Sequence, residues 1–177
     1  MTTSDVTAAD GSPSGVCVLP HPRIAPAVEG TIPLFATFGH APGLIEGWMA
    51  WYQPLMVGGR VPVRTKELCR LAVAARTGCH MCQNGRFPDP AQGGAPAVPE
   101  PDAEAVLTGR FDGFTDAERA ALAWTVAYWD DHRTISDAVI ADACEALGTD
   151  GFLEVAVMVA QFTGMGRMFA ALGLTAE

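Results

Sequence analysis

Between His40 and Val57, the apolar residues Leu44, Ile45, Trp48, Met49, Tyr52, Leu55 and Met56 recur at steps of three and four. A stripe with that period can be buried together only as one wide face of an α-helix. A strand would send alternate residues to opposite sides. Gly58-Gly59 ends this helix, and Pro62 opens the next, in which Leu68, Leu71, Ala72 and Ala75 form one face until Gly78 breaks it. A short helix is predicted from about Cys79, stopping before Pro88, because the residue ahead of a proline disfavours helix.

The second half of the chain repeats the helical pattern. Asp102 to Thr108 forms a short helix. Thr115-Asp116-Ala117-Glu118 reads as a capping box for a helix running to about Asp131. Ser136 caps another that ends at Gly148. Asp150 starts the last, with Phe152, Val155, Ala156, Val159 and Phe162 on one face. No run of β-branched alternation interrupts these segments. The predicted fold is therefore all-α, a bundle of about six to eight helices. Residues 1–35, punctuated by Pro13, Pro20, Pro22, Pro26 and Pro33, are expected to be an extended arm, and 36–177 a single helical domain. Residues 88–101 hold five prolines and Gly93-Gly94. They predict an irregular loop of the kind that serves as a lid or stays mobile.

Charge narrows the function classes. The net charge of −9 would repel phosphates, which argues against nucleic acid, and Lys66 is the only lysine. Only 18% of residues are charged, so part of the surface is expected to be covered in an oligomer. The stretch from Phe152 to Phe162 is interrupted by Glu154 and Gln161, too short and polar to span a bilayer. Asp5 and Asp10 do not suit a secretory leader, and the expected compartment is the cytoplasm.

Five cysteines at wide spacing do not make a disulfide framework. Cys17, Cys69 and Cys144 read as structural or incidental thiols. Cys79-His80-Met81-Cys82 differs, because two cysteines three apart at a helix start can close a disulfide, and a helix N-terminus favours a thiolate. A structural zinc site would need four ligands, commonly two such pairs, and there is one pair, with His21, His40 and His132 isolated. No metal and no organic cofactor is expected. Trp48, Trp51 and Tyr52 with Met49 and Met56 read as core first and as the wall of an apolar pocket second. Gly164-x-Gly166 reads as close helix packing, since no strand precedes it.

The run Arg64-Thr65-Lys66-Glu67-Leu68-Cys69-Arg70-Leu71-Ala72-Val73-Ala74, followed by Gly78-Cys79-His80-Met81-Cys82, resembles the core of the carboxymuconolactone decarboxylase family, which includes the alkylhydroperoxidase D proteins. Phe114 to Leu122 resembles the family's second half, and Val159 to Leu174 its ending. The resemblance implies an all-helical trimer or hexamer with the site near subunit contacts. It also implies that Cys82 attacks a peroxide, that Cys79 resolves the sulfenic acid as a disulfide, and that Glu67 belongs to the site. The family's relay histidines, one just before the second cysteine and one four residues after it, are replaced by Met81 and Arg86. Arginine stays protonated and cannot act as a base. Arg86, one helical turn from Cys82, is instead expected to favour the Cys82 thiolate by its charge and to be held by Glu67. His80 is the remaining histidine candidate for a relay.

The function implied is a thiol-dependent peroxidase or disulfide oxidoreductase acting on a small hydroperoxide or disulfide and recharged by a dithiol reductant. Two alternatives stand beside it. One is a non-redox lyase of the decarboxylase kind, with Arg64, Arg86 or Arg167 binding a carboxylate. The other is an oligomeric binding protein without catalysis.

Overall fold

A helix that runs through the middle of a protein must satisfy every polar group it carries. Residues Val63–Thr77 form such a helix. Twelve of its fifteen residues are buried, among them Lys66, Glu67 and Arg70. The single apolar face expected from Leu68, Leu71 and Ala72 is therefore only part of its contact surface, because neighbours enclose this helix on nearly every side.

The structure is a computed structural model that describes residues 21–175. Among these residues there are eight α-helices. In chain order they are α1 (Pro33–Phe38), α2 (Pro42–Val57), α3 (Val63–Thr77), α4 (His80–Asn84), α5 (Glu100–Leu107), α6 (Asp116–Asp131), α7 (Asp137–Leu147) and α8 (Thr149–Ala171). Helix α3 packs chiefly on α6 and α8, with α5 on a further side. The all-α bundle expected from the periodicity is what the chain forms.

Three apolar clusters hold the bundle. Met56, Cys69, Val73, Ala121, Val155 and Met158 join α2, α3, α6 and α8. Leu68, Leu71, Val98, Val106, Phe114 and Leu122 join α3, α5 and α6. Leu34, Phe169 and Leu174 close the end formed by α1 and α8. The capping box at α6 is present in both directions: Thr115 Oγ1 accepts from the Glu118 N–H, and Glu118 accepts from the Thr115 N–H. Lys66 lies fully inside and donates to the carbonyls of Leu55 and Gly58, so it caps the C-terminus of α2, and it pairs with Glu154 of α8.

Two expectations are modified. The N-terminal arm expected over 1–35 overlaps the start of α1 at Pro33, and residues 1–20, including Cys17, lie outside the described residues. The part described is pinned, with Arg23 donating to Leu172 O at 2.9 Å and Ala27 to Ala36 O at 2.9 Å. The segment 88–101 is not irregular. Strands β1 (Pro88–Asp89) and β2 (Ala95–Pro96) pair antiparallel, and Asp89 fastens the turn between them by accepting from the Ala91 N–H and Gln92 Nε2. Ala97 and Val98 are buried in the core. Local hydrogen bonds and burial thus supply what no sequence period advertised.

Candidate active site

Gly78 ends α3 with φ 63°, a left-handed conformation that glycine adopts without strain, and the chain turns straight into α4. Cys79 is the N-cap of α4, and its sulfur accepts from the Cys82 N–H at 3.2 Å. Three residues on, one helical turn brings Cys82 back over it. The two sulfurs are bonded as a disulfide, with Cα atoms 5.1 Å apart. The pair is asymmetric. Cys79 is fully buried, whereas Cys82 lines a cavity of about 210 Å³.

The cavity wall is mostly apolar and aromatic. Trp48 stacks on Tyr52 with ring centres 4.7 Å apart, and Phe87 and Phe162 meet Tyr52 edge-on. Met81, Met165 and Phe169 complete much of the rest. The stripe on α2 is therefore divided: Trp48 and Tyr52 face the cavity, Met56 is core, and Trp51 is exposed. Burial pushes the Tyr52 phenol above its ordinary pKa. Arg70 pulls it back and Glu67 pushes it further up, so Tyr52 keeps its proton. Helix α8 approaches closely at Gly166, where a Cβ would sit 2.7 Å from Thr77 Cγ2. Gly164, by contrast, has open space, so the packing role falls on one glycine of the two.

Two arginines line this cavity, and they are built differently. Arg70 forms a two-pronged ion pair with Glu67, Nε to Oε2 at 2.6 Å and Nη2 to Oε1 at 2.8 Å, both residues buried. Its remaining donors hold the carbonyls of Cys82 and of Gly85, the latter at 2.8 Å. Glu67 also accepts from the Phe87 N–H at 3.1 Å. The pair therefore clamps the chain at three points within residues 82–87 and fixes where Cys82 stands.

Arg86 is not held by Glu67, as expected from the sequence, nor does it share a helical face with Cys82. Helix α4 stops at Asn84, and Gly85 is extended. The side chain reaches Glu100 at the start of α5, Nε to Oε1 at 3.0 Å and Nη2 to Oε2 at 2.9 Å. It also donates to the carbonyls of Gln83 and Gly85.

His80 is exposed and does not line the cavity; its backbone N–H donates to Thr175 O at 3.2 Å. Arg64 is committed to Asp102 and Glu118, and Arg167 lies over the Trp129 ring, so neither reaches the cavity. Sequence reasoning thus named Cys79, Cys82, Glu67 and Arg86, which the fold gathers around one turn. It missed Arg70 and Glu100. The spacing Glu67-x-x-Arg70 was a usable signal, since it puts both residues on one helical flank.

Cys69, on α3, shows the opposite thiol environment. Complete burial pushes it up to about 12, despite a hydrogen bond with Thr125, so it stays a neutral thiol. Among the described residues no group of three His, Cys, Asp or Glu side chains is placed to hold a metal, and no helix is long and apolar enough to cross a membrane.

A short helix carrying a paired dithiol, set inside an all-helical bundle, defines a class of fold and site. Residues 42–127 match the model of the carboxymuconolactone decarboxylase family. The fold is similar to the crystal structure titled alkylhydroperoxidase AhpD core, an uncharacterized peroxidase-related protein from Ralstonia eutropha JMP134. The TM-score is 0.62 and the identity 21%, covering 81% of this chain and 76% of that one. No curated protein matches the chain by sequence. Over residues 42–127 the chain is thus similar to the carboxymuconolactone decarboxylase family, and its fold is similar to that of the alkylhydroperoxidase AhpD core.

Proposed function

We propose that the protein is a thiol-dependent peroxidase in which Cys82 attacks and Cys79 resolves. One observation carries this reading: the two sulfurs are bonded, and only Cys82 is on the cavity wall. In the reduced enzyme the Cys82 thiolate attacks the terminal oxygen of a hydroperoxide. The O–O bond breaks, sulfur gives up two electrons, and the departing alkoxide takes a proton from solvent. Cys82 is left as a sulfenic acid. The Cys79 thiolate then attacks the Cys82 sulfur, the S–O bond breaks, and hydroxide leaves to become water as it gains a proton. The product is the disulfide seen here. An external dithiol returns both thiols and becomes a disulfide itself.

Arg86 takes the place of a base by electrostatics. A guanidinium on the cavity wall favours the thiolate of Cys82, and Glu100 cancels part of that pull. Glu67 acts through Arg70 as a positioning residue, because three N–H donors already occupy its oxygens. The trimer or hexamer implied by the family would cover the shallow apolar groove between α2 and α8, where Trp51 and Val157 are exposed.

Mass spectrometry of the thiol state tests the reading. One equivalent of hydroperoxide added to reduced protein should close the Cys79–Cys82 bridge. Cys82→Ser should abolish peroxide-dependent thiol loss, and Cys79→Ser should trap a sulfenic acid on Cys82. Thiols that survive the peroxide unchanged would overturn the proposal.

A further inference from the structure

The charged side chains lining the cavity are both cationic, Arg70 and Arg86. Arg70 is locked, since it is buried and its partner Glu67 has no exposure at all. Arg86 is different. Its side chain is 14% exposed, while that of its partner Glu100 is 74% exposed. Arg86 grips the Glu100 carboxylate with Nε and Nη2, the parallel fork that guanidinium forms with any carboxylate. Hydrogen bonding to Arg86 draws the Glu100 carboxyl below its ordinary pKa.

An exposed carboxylate loses little by returning to water, so this fork is open to exchange. Arg86 also lines an apolar cavity of about 210 Å³, with Cys82 in its wall. A cavity of about 150 Å³ is large enough to hold benzene, so this one accommodates an eight-carbon chain or a substituted ring.

We infer that the cavity selects apolar molecules bearing a carboxylate, which Arg86 anchors after displacing Glu100. The naming of a substrate rests on the peroxidase reading: it would be a hydroperoxide of such an acid, with its O–O group at Cys82 and its carboxylate at Arg86. Glu100 then acts as an internal competitor that keeps the anchor filled when no substrate is present.

The experiment is calorimetric titration of the full chain, in its disulfide form, with octanoate and with 1-octanol. Octanoate should bind at least about tenfold tighter than octanol, and less tightly as salt rises. Arg86→Gln should erase that preference. Glu100→Gln removes the competing charge and should tighten octanoate about threefold, leaving octanol unchanged. Absence of octanoate binding, equal affinity for the two ligands, or an octanoate affinity that neither substitution moves would overturn the inference. The disulfide form carries out no peroxide chemistry. A failed titration therefore leaves the thiol assay standing, and a failed thiol assay leaves the titration readable.

Discussion

Two glutamate–arginine pairs flank the same cysteine, and they have little else in common. Glu67–Arg70 is buried, bidentate and tied to three backbone groups of residues 82–87. Arg86–Glu100 makes the same fork at the surface, with its carboxylate largely in solvent. Taking two charges out of water is costly, and their attraction offsets the cost only when every donor and acceptor is matched. A buried pair therefore fixes geometry and cannot exchange partners. An exposed pair contributes little to stability, which leaves its arginine free to serve another anion. One segment is thus held rigidly from inside and offers an exchangeable cation outside.

The largest effect should come from breaking the inner pair. Glu67→Ala leaves Arg70 buried without its counter-ion and should cost about 3–5 kcal/mol, read as a lower midpoint in urea unfolding. The double variant Glu67→Leu with Arg70→Met should recover part of that loss, because apolar residues of similar volume tolerate burial. It should not restore Cys82 reactivity, since the clamp on the Cys82 and Gly85 carbonyls is gone. Full recovery of reactivity would show that the clamp does not position the thiol.

Glu118 stands between these extremes. Burial alone would raise its carboxyl, but bonds from Thr115 and from Arg64 outweigh burial and hold it below the usual 4.5. A folded value below the unfolded one stabilises the protein fully above pH 4.5 and is lost as pH falls through the folded value. Glu118→Gln should therefore cost about 1 kcal/mol at neutral pH, and the difference from wild type should vanish on the acid side of the unfolding-midpoint profile. A difference that persists at acid pH would break the ranking.

The outer pair should yield smaller numbers. Arg86→Ala should slow alkylation of reduced Cys82 at neutral pH several-fold, because fewer thiols are ionised, while Cys69 stays unlabelled until the protein unfolds. An unchanged Cys82 rate would count against the electrostatic role. Glu100→Gln should leave the unfolding midpoint where it is. A clear drop would mean that the exposed pair is structural after all.

Helix identity was legible in the chain because the three-to-four-residue period, the Thr115–Glu118 box and the glycine breaks act over single turns. The dithiol was legible for the same reason: its chemistry depends on two residues one turn apart. Only the tertiary structure decided which side of α3 is buried, since a helix surrounded by others loses the one-sided pattern that reveals orientation. It also assigned Arg70 to Glu67 and Arg86 to Glu100. The latter pair is fourteen residues apart and meets because the chain, turning through the β1–β2 ribbon, brings the start of α5 back beside Arg86. Spacing along a helix fixes near neighbours, whereas the partner of a long charged side chain is chosen by which elements pack together and how much water they exclude.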